Sequence, residues 1–237
     1  MARFCVILPA AGKSSRFGDI RYKKPFSPLG GCAVWLQTAR HFWSRKDVGQ
    51  VILAVSPEDH DDVLARFQQE IAQHRITVVR GGKERADSIE NAIAAIDPSC
   101  DQVCVHDAAR PCLLESWIDN VFLAAEQTGA AILAIPLADS IKSVSDGIIV
   151  QSLDRSRVWR AQTPQVFRRD WFEAVYASRL RERSAQTTDD AMLFEQAGHT
   201  VHIVEGSSLN IKITDKTDLQ LAEAILKILH TVENGKS

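Results

Sequence analysis

A doubly wound α/β fold follows from three features of the sequence. Apolar runs of strand length recur without alternation, amphipathic helical repeats lie between them, and turn-forming residues come directly after the runs. Continuous apolar strands are covered on both faces, as in parallel sheets with helices on either side.

The elements follow in chain order. Residues 4–8 form the first apolar run and stop at Pro9. Trp35, Thr38, Ala39 and Phe42 share a helical face. Residues 51–55 form a second run, ended by Ser56-Pro57, and residues 76–79 a third, ended by Gly81-Gly82. Ile89, Ala92, Ile93 and Ile96 fall at i, i+3, i+4 and i+7, and Asp97-Pro98-Ser99 is read as the stop of that helix. Residues 103–105 form a fourth run, ended by His106-Asp107. Ile118, Val121, Phe122 and Ala125 mark the next helix, and residues 130–135 a fifth strand. Residues 137–159 break the rhythm. Asp146-Gly147 between two short apolar pieces signals a hairpin, read as an extended arm. An isolated hairpin is marginal in water, so the arm is expected to pack on something such as a second subunit. Ala222, Ile225, Leu226 and Leu229 mark a C-terminal helix. The whole, residues 1–237, reads as one domain.

Composition narrows the function. In 237 residues, 28 Lys+Arg face 30 Asp+Glu, a net charge of −2 that argues against a nucleic-acid or membrane-surface binder. A hydrophobic content of 45% supports a core and excludes bulk disorder. No apolar run approaches the roughly 20 residues of a membrane-spanning helix. Five cysteines without an export signal read as reduced thiols of a cytoplasmic protein. Cys100 and Cys104 are too isolated from other ligands to suggest zinc.

Ligands of doubly wound sheets bind outside the carboxyl ends of the strands, so the residues after each run carry the chemistry. Pro9-Ala10-Ala11-Gly12-Lys13-Ser14-Ser15-Arg16 offers close backbone approach and, in Arg16, a planar fork for phosphate. It is neither a Walker A loop nor a dinucleotide fingerprint, and a flexible basic surface loop is the alternative. Lys23-Lys24 adds charge. Gly81-Gly82-Lys83-Glu84-Arg85-Ala86-Asp87-Ser88 is either a glycine turn at an anion-binding helix start or an ordinary capped helix. In His106-Asp107-Ala108-Ala109-Arg110-Pro111, Asp107 could hold Mg²⁺ or form a loop-shaping pair with Arg110, while His106 reads as a packed strand-end residue. The alternation of residues 210–214 reads as a strand with Asn210, Lys212 and Thr214 on one side. Thr188-Asp189-Asp190-Ala191 reads as a helix start capped by Thr188.

Taken in order, Pro9-Ala10-Ala11-Gly12…Arg16, Lys24, Gly81-Gly82-x-x-Arg85-x-x-Ser88, residues 106–111, Thr163-Pro164-Gln165, residues 188–191 and 210–214 resemble the 2-C-methyl-D-erythritol 4-phosphate cytidylyltransferase family. The resemblance spans nearly the whole chain. It implies a Rossmann-like, glycosyltransferase-A-type nucleotidyltransferase domain with a mostly parallel sheet, and a homodimer joined through the β-arm at 137–159. The implied reaction joins CTP and methylerythritol 4-phosphate to give the CDP-alcohol and pyrophosphate, with Mg²⁺ or another divalent cation. A sibling acting on ribitol or glycerol phosphate is the alternative.

The resemblance also implies roles. Arg16, Lys24 and Lys212 are the catalytic cations. Asp107 binds metal and substrate, and Arg110 supports its loop. Ser140 and Arg155 bind the polyol phosphate, Arg155 from the partner subunit. Ala10, Ala11, Gly12, Gly82 and Ser88 line the cytidine pocket. Ser14 and Lys83 depart from the family pattern, and the stretched spacing after Arg16 leaves Lys23 as a rival to Lys24. The chain ends too soon after its last helix to hold the cyclodiphosphate synthase domain of some relatives.

Overall fold

The computed structural model describes residues 2–12, 23–182 and 187–234. Six strands of the main sheet run parallel: β1 (Phe4–Pro9), β4 (Val48–Val55), β5 (Thr77–Arg80), β6 (Gln102–Val105), β7 (Ala130–Pro136) and β11 (His202–Glu205). A seventh, β10 (Trp159–Arg168), lies antiparallel between β6 and β7. The order across the seven-stranded sheet is β11-β7-β10-β6-β1-β4-β5. Two minor pairs complete the strands: β2 (Pro28–Leu29) with β3 (Cys32–Ala33), and β8 (Ile141–Ser145) with β9 (Ile148–Leu153).

The apolar runs have the predicted cause. In β1, Val6 and Leu8 enter one buried cluster while Cys5 and Ile7 enter the other. The first cluster holds Trp35 and Phe42 of α1 (Val34–Trp43) and Ile118, Val121 and Phe122 of α5 (Glu115–Thr128). The second holds Ile89 and Ala92 of α4 (Arg85–Ile93) and Phe172, Val175 and Tyr176 of α6 (Arg169–Glu182). Each fully buried Leu, Ile or Phe contributes about 1.5–3 kcal/mol of transfer free energy, so both faces of the sheet are anchored. A third cluster docks α8 (Lys216–Asn234) through Ala222, Ile225 and Leu229 against Ala109 and Ile213. The remaining helices are α2 (His60–Arg66), α3 (Gln68–His74) and α7 (Asp190–Gln196).

The hairpin is present. Asp146 (φ 50°) and Gly147 (φ 79°) both take positive φ, as a tight turn matching strand twist requires. Every residue of β9 is exposed.

Three expectations change. Residues 210–214 are not a strand: the Ile213 N–H donates to Ala109 O at 2.8 Å, and Asn210 and Ile213 are both fully buried. The helix of α4 ends at Ile93, before Asp97. The cap of α7 is Asp189, whose carboxylate accepts from the Met192 N–H, not Thr188.

Candidate active site

The carboxyl ends of β1, β5 and β6 meet along one edge of the sheet, and a cavity of about 360 Å³ opens there. Pro9, Ala10, Ala11 and Gly12 after β1 line it, as do Lys24 and Pro25. Lys83, Glu84, Arg85 and Ser88 line it from the α4 start, and Asp107, Ala109 and Lys212 complete it. A smaller polar cavity of about 100 Å³ shares Arg85, Asp107 and Lys212 with the first and adds Arg110, Gln162, Thr163, Gln165, Thr188 and Asp189.

Local sequence explains the placement. Gly82 carries no Cβ because one there would lie 2.3 Å from the Asp87 Cβ. Its N–H donates to Ser88 Oγ at 3.1 Å, and that hydroxyl donates on to Glu84 O at 3.0 Å. Asp87 accepts from the Glu84 N–H at 3.1 Å, closing a capping box at the start of α4. Ser88 therefore both lines the cavity and folds the glycine turn.

Asp107 is the electrostatic centre. Its Oδ2 lies 2.8 Å from Lys212 Nζ and 3.3 Å from Arg110 Nε, and its Oδ1 lies 3.3 Å from Arg85 Nε. Burial alone would raise the pKa of this carboxyl, but Lys212, Arg85 and Arg110 outweigh it and hold it well below the usual carboxylate range. Lys212 reaches Asp107 because Ile213 is pinned to Ala109 and Arg110 Nη1 donates to Asn210 O at 2.7 Å.

His106 supports this loop as a neutral ring. The Asp107 N–H donates to Thr163 Oγ1 at 3.0 Å, and that hydroxyl is 3.1 Å from His106 Nδ1. His106 Nε2 lies 3.0 Å from Arg110 O, so the network assigns the proton to Nε2. Burial pushes its pKa down to about 3. His106 is thus a strand-end support, as read from the sequence, and not a base.

The metal role read for Asp107 does not fit this donor set. Both carboxylate oxygens are taken by cations, and among the described residues no group of three or more His, Cys, Asp or Glu comes together. A cation bound to Asp107 would have to displace its ion pairs.

Ala10, Ala11, Gly12, Lys24, Ser88, Asp107 and Lys212 thus line the first cavity, Gly82 adjoins it through Lys83, and Arg110 lines the second. Arg16 and Ser14 lie outside the described residues. Ser140 and Arg155 are exposed at the base of the hairpin, where Arg155 Nη1 donates to Ala138 O; neither belongs to the cavity walls of its own chain. Lys23 is not in the cavity wall: its Nζ lies 2.6 Å from Asp59 Oδ2 and 3.2 Å from Glu58 Oε1, which separates it from Lys24. Sequence reasoning gave Arg85 and Thr163 no role, although both stood within the quoted motifs.

Residues 4–228 match the family model described as IspD, 2-C-methyl-D-erythritol 4-phosphate cytidylyltransferase. The chain belongs to this family. A relative of that name from Rhodopirellula baltica is 41% identical over 241 residues, covering 95% of each chain. One from Solibacter usitatus is 37% identical over 235 residues, covering 95% of this chain and 96% of its own. The crystal structure of the Francisella tularensis 2-C-methyl-D-erythritol 4-phosphate cytidylyltransferase superposes with a TM-score of 0.80 at 30% identity, covering 94% of this chain and 100% of that one. Among the described residues of this cytidylyltransferase-family chain, no helix is long and apolar enough to cross a membrane.

Proposed function

We propose that the chain transfers the cytidylyl group of CTP to the phosphate of 2-C-methyl-D-erythritol 4-phosphate, releasing pyrophosphate, as a step of isoprenoid precursor synthesis. The observation that carries this is the pair of adjoining cavities sharing Arg85, Asp107 and Lys212. A two-substrate transfer needs two pockets that meet at the reacting atoms. The larger pocket is lined by the small residues Ala10, Ala11 and Gly12, suited to a flat base and sugar. Its lining also holds Lys24, Arg85 and Lys212, suited to a triphosphate. The smaller, with Arg110, Thr163 and Thr188, suits the polyol phosphate.

An oxygen of the acceptor phosphate attacks the α-phosphorus. A new P–O bond forms, the bond from the α-phosphorus to the bridging oxygen breaks, and that oxygen leaves with pyrophosphate. The attacking oxygen is already ionised, so no general base is required. The chain's task is to gather cations around the developing charge. Lys212 and Lys24 serve there, with Arg16 assigned the same role by family resemblance. Asp107 holds Lys212, Arg85 and Arg110 in one cluster before phosphate arrives. A divalent cation brought in with the nucleotide would supply further positive charge at the phosphates without a ligand from Asp107.

The hairpin is proposed to join two copies and to bring Ser140 and Arg155 to the partner's polyol pocket. Its exposed Val144, Ile148, Ile149, Val150 and Leu153 form a surface that a second copy would cover. A cytoplasmic location agrees with five free cysteines.

Pyrophosphate release with CTP and each of methylerythritol, ribitol and glycerol phosphates tests the assignment. Turnover with methylerythritol 4-phosphate is expected to dominate. Faster turnover with ribitol 5-phosphate would reassign the acceptor.

A further inference from the structure

Arg85 stands in the wall common to both cavities and is held from behind. Its Nη2 forms a 2.7 Å ion pair with Asp190 Oδ2, without a well-directed N–H bond, while its Nε reaches Asp107. Neither contact uses Nη1. Asp190 is 1% exposed at the start of α7, and its N–H donates to Gln165 Oε1 at 3.1 Å. Its Oδ1 accepts a 2.5 Å bond from the hydroxyl of Tyr176 on α6, itself 1% exposed.

A buried carboxylate is costly unless it is paired and hydrogen-bonded, and this one has both kinds of partner. Its ion-pair partner is a side chain that reaches the substrate cavities. Three residues after Tyr176, Arg179 pairs with Asp87 at 2.8 Å and Glu90 at 3.0 Å, so α6 also grips the helix that carries Arg85. Lys212 meets Asp107 with a side chain that is 40% exposed, and Arg110 is tied by Nη1 to Asn210 O at 2.7 Å. Arg85 lines both cavities and is tied to Asp190, which lies outside their walls.

We propose that Tyr176 and Asp190 are positioning residues: they fix the Arg85 guanidinium at the boundary of the two cavities, so that nucleotide and acceptor phosphates meet in line. The inference rests on the cytidylyl-transfer reading and adds a chain of residues, Tyr176 to Asp190 to Arg85, that acts from outside the pocket. Loss of the Tyr176 hydroxyl lets the guanidinium drift, and small misplacements of this kind cost up to about 100-fold in rate.

The test is steady-state kinetics with CTP and methylerythritol 4-phosphate on the wild type, Tyr176→Phe, Asp190→Asn, Arg85→Lys and the doubles that pair Arg85→Lys with each of the others. Tyr176→Phe is expected to lower kcat about 10-fold while both KM values stay within about two-fold. Each double is expected to be no worse than Arg85→Lys alone, since residues acting through one group are not additive. Should Asp190→Asn fail to fold, the Tyr176→Phe cycle decides by the same rule. An unchanged kcat in Tyr176→Phe, or losses that multiply in its double, would show a merely structural tyrosine and overturn the proposal. A wild type that turns over no polyol phosphate sinks the transfer reading and this inference together. An active wild type with a silent Tyr176→Phe sinks this inference alone.

Discussion

The wall of the two cavities and the β8–β9 hairpin are built on opposite terms. In the wall, charged side chains from distant segments come together and pair within one chain: Asp107 is held by Lys212, Arg110 and Arg85, and Arg85 by Asp190. In the hairpin, apolar side chains are left exposed, with Ile148 at 71% and Val150 at 64%. The charges of the wall are paired within one chain, whereas the apolar face of the hairpin is uncovered. That difference is why the chemistry is proposed for the one and the assembly for the other.

The sharpest way to break the comparison is Lys212→Ala. Removing one charge-stabilising donor typically costs 100-fold or more in kcat, so a loss of at least about 100-fold is expected in a pyrophosphate-release assay. The melting temperature serves as the check that the fold survives. Near-normal turnover would take Lys212 out of the mechanism and leave its pair with Asp107 as structure alone.

Much of that wall was legible in the sequence, and the reasons for the rest are physical. Apolar runs gave β1, β4, β5, β6 and β7 because both faces of each are covered, and residues following three of them line the site. Strand β10 was hidden because it carries Gln162, Thr163, Pro164 and Gln165 where a buried strand should be apolar. Those polar groups are tolerated through long-range bonds: Gln162 Nε2 to Ser207 O at 2.8 Å, and Gln165 Nε2 to Asp189 Oδ2 at 2.9 Å. Such partners leave no local period to read. Lys212 was found with the wrong local structure, because what holds it is Ala109 on a distant loop rather than strand pairing. Arg85 was quoted without a role because its meaning depends on Asp190, a residue read only as part of a helix start.

Next in size is the hairpin. Arg155→Ala is expected to raise KM for the polyol phosphate about 10-fold while KM for CTP stays within about two-fold, as loss of a charge-assisted phosphate contact predicts. An equal rise for both substrates would contradict the arm's role at the polyol pocket. Ile149→Asp places a charge in the exposed apolar face and is expected to leave a single-chain species in sedimentation with the domain still folded. A wild type that sediments as one chain would show that the hairpin is complete on its own.

The wall also predicts a pH dependence of stability. His106 is held neutral, with its pKa pushed down to about 3, while the unfolded chain protonates near 6.5. The unfolded state therefore binds more protons below about pH 6.5, and stability falls as pH is lowered from there towards 3. The slope from this one group is about 1.4 kcal/mol per pH unit, and His106→Gln should flatten it even if it lowers stability overall. Asp107 acts in a lower window. Its depressed pKa gives stability that is complete above about 3.9 and lost as pH falls through the folded value. Denaturant melts between pH 4 and pH 7 on wild type and His106→Gln separate the two; identical slopes would mean that His106 titrates freely in the folded chain.

The smallest effect is expected at Lys23, and it sharpens the contrast between neighbours. Burial lowers the pKa of Lys23, but its bonds to Asp59 and Glu58 outweigh burial and raise it, so this lysine is committed to acidic partners outside the cavity wall. The side chain is 33% exposed, and pairs of that kind are worth about 0–1 kcal/mol. Lys23→Ala should therefore change kcat by less than about two-fold, because a group that shields two carboxylates has no free charge to offer a triphosphate. Lys24 lines the cavity, and Lys24→Ala should fall much further in the same assay. Equal losses in the two variants would mean that Lys23 leaves Asp59 when nucleotide binds, and that both lysines share the phosphate chain.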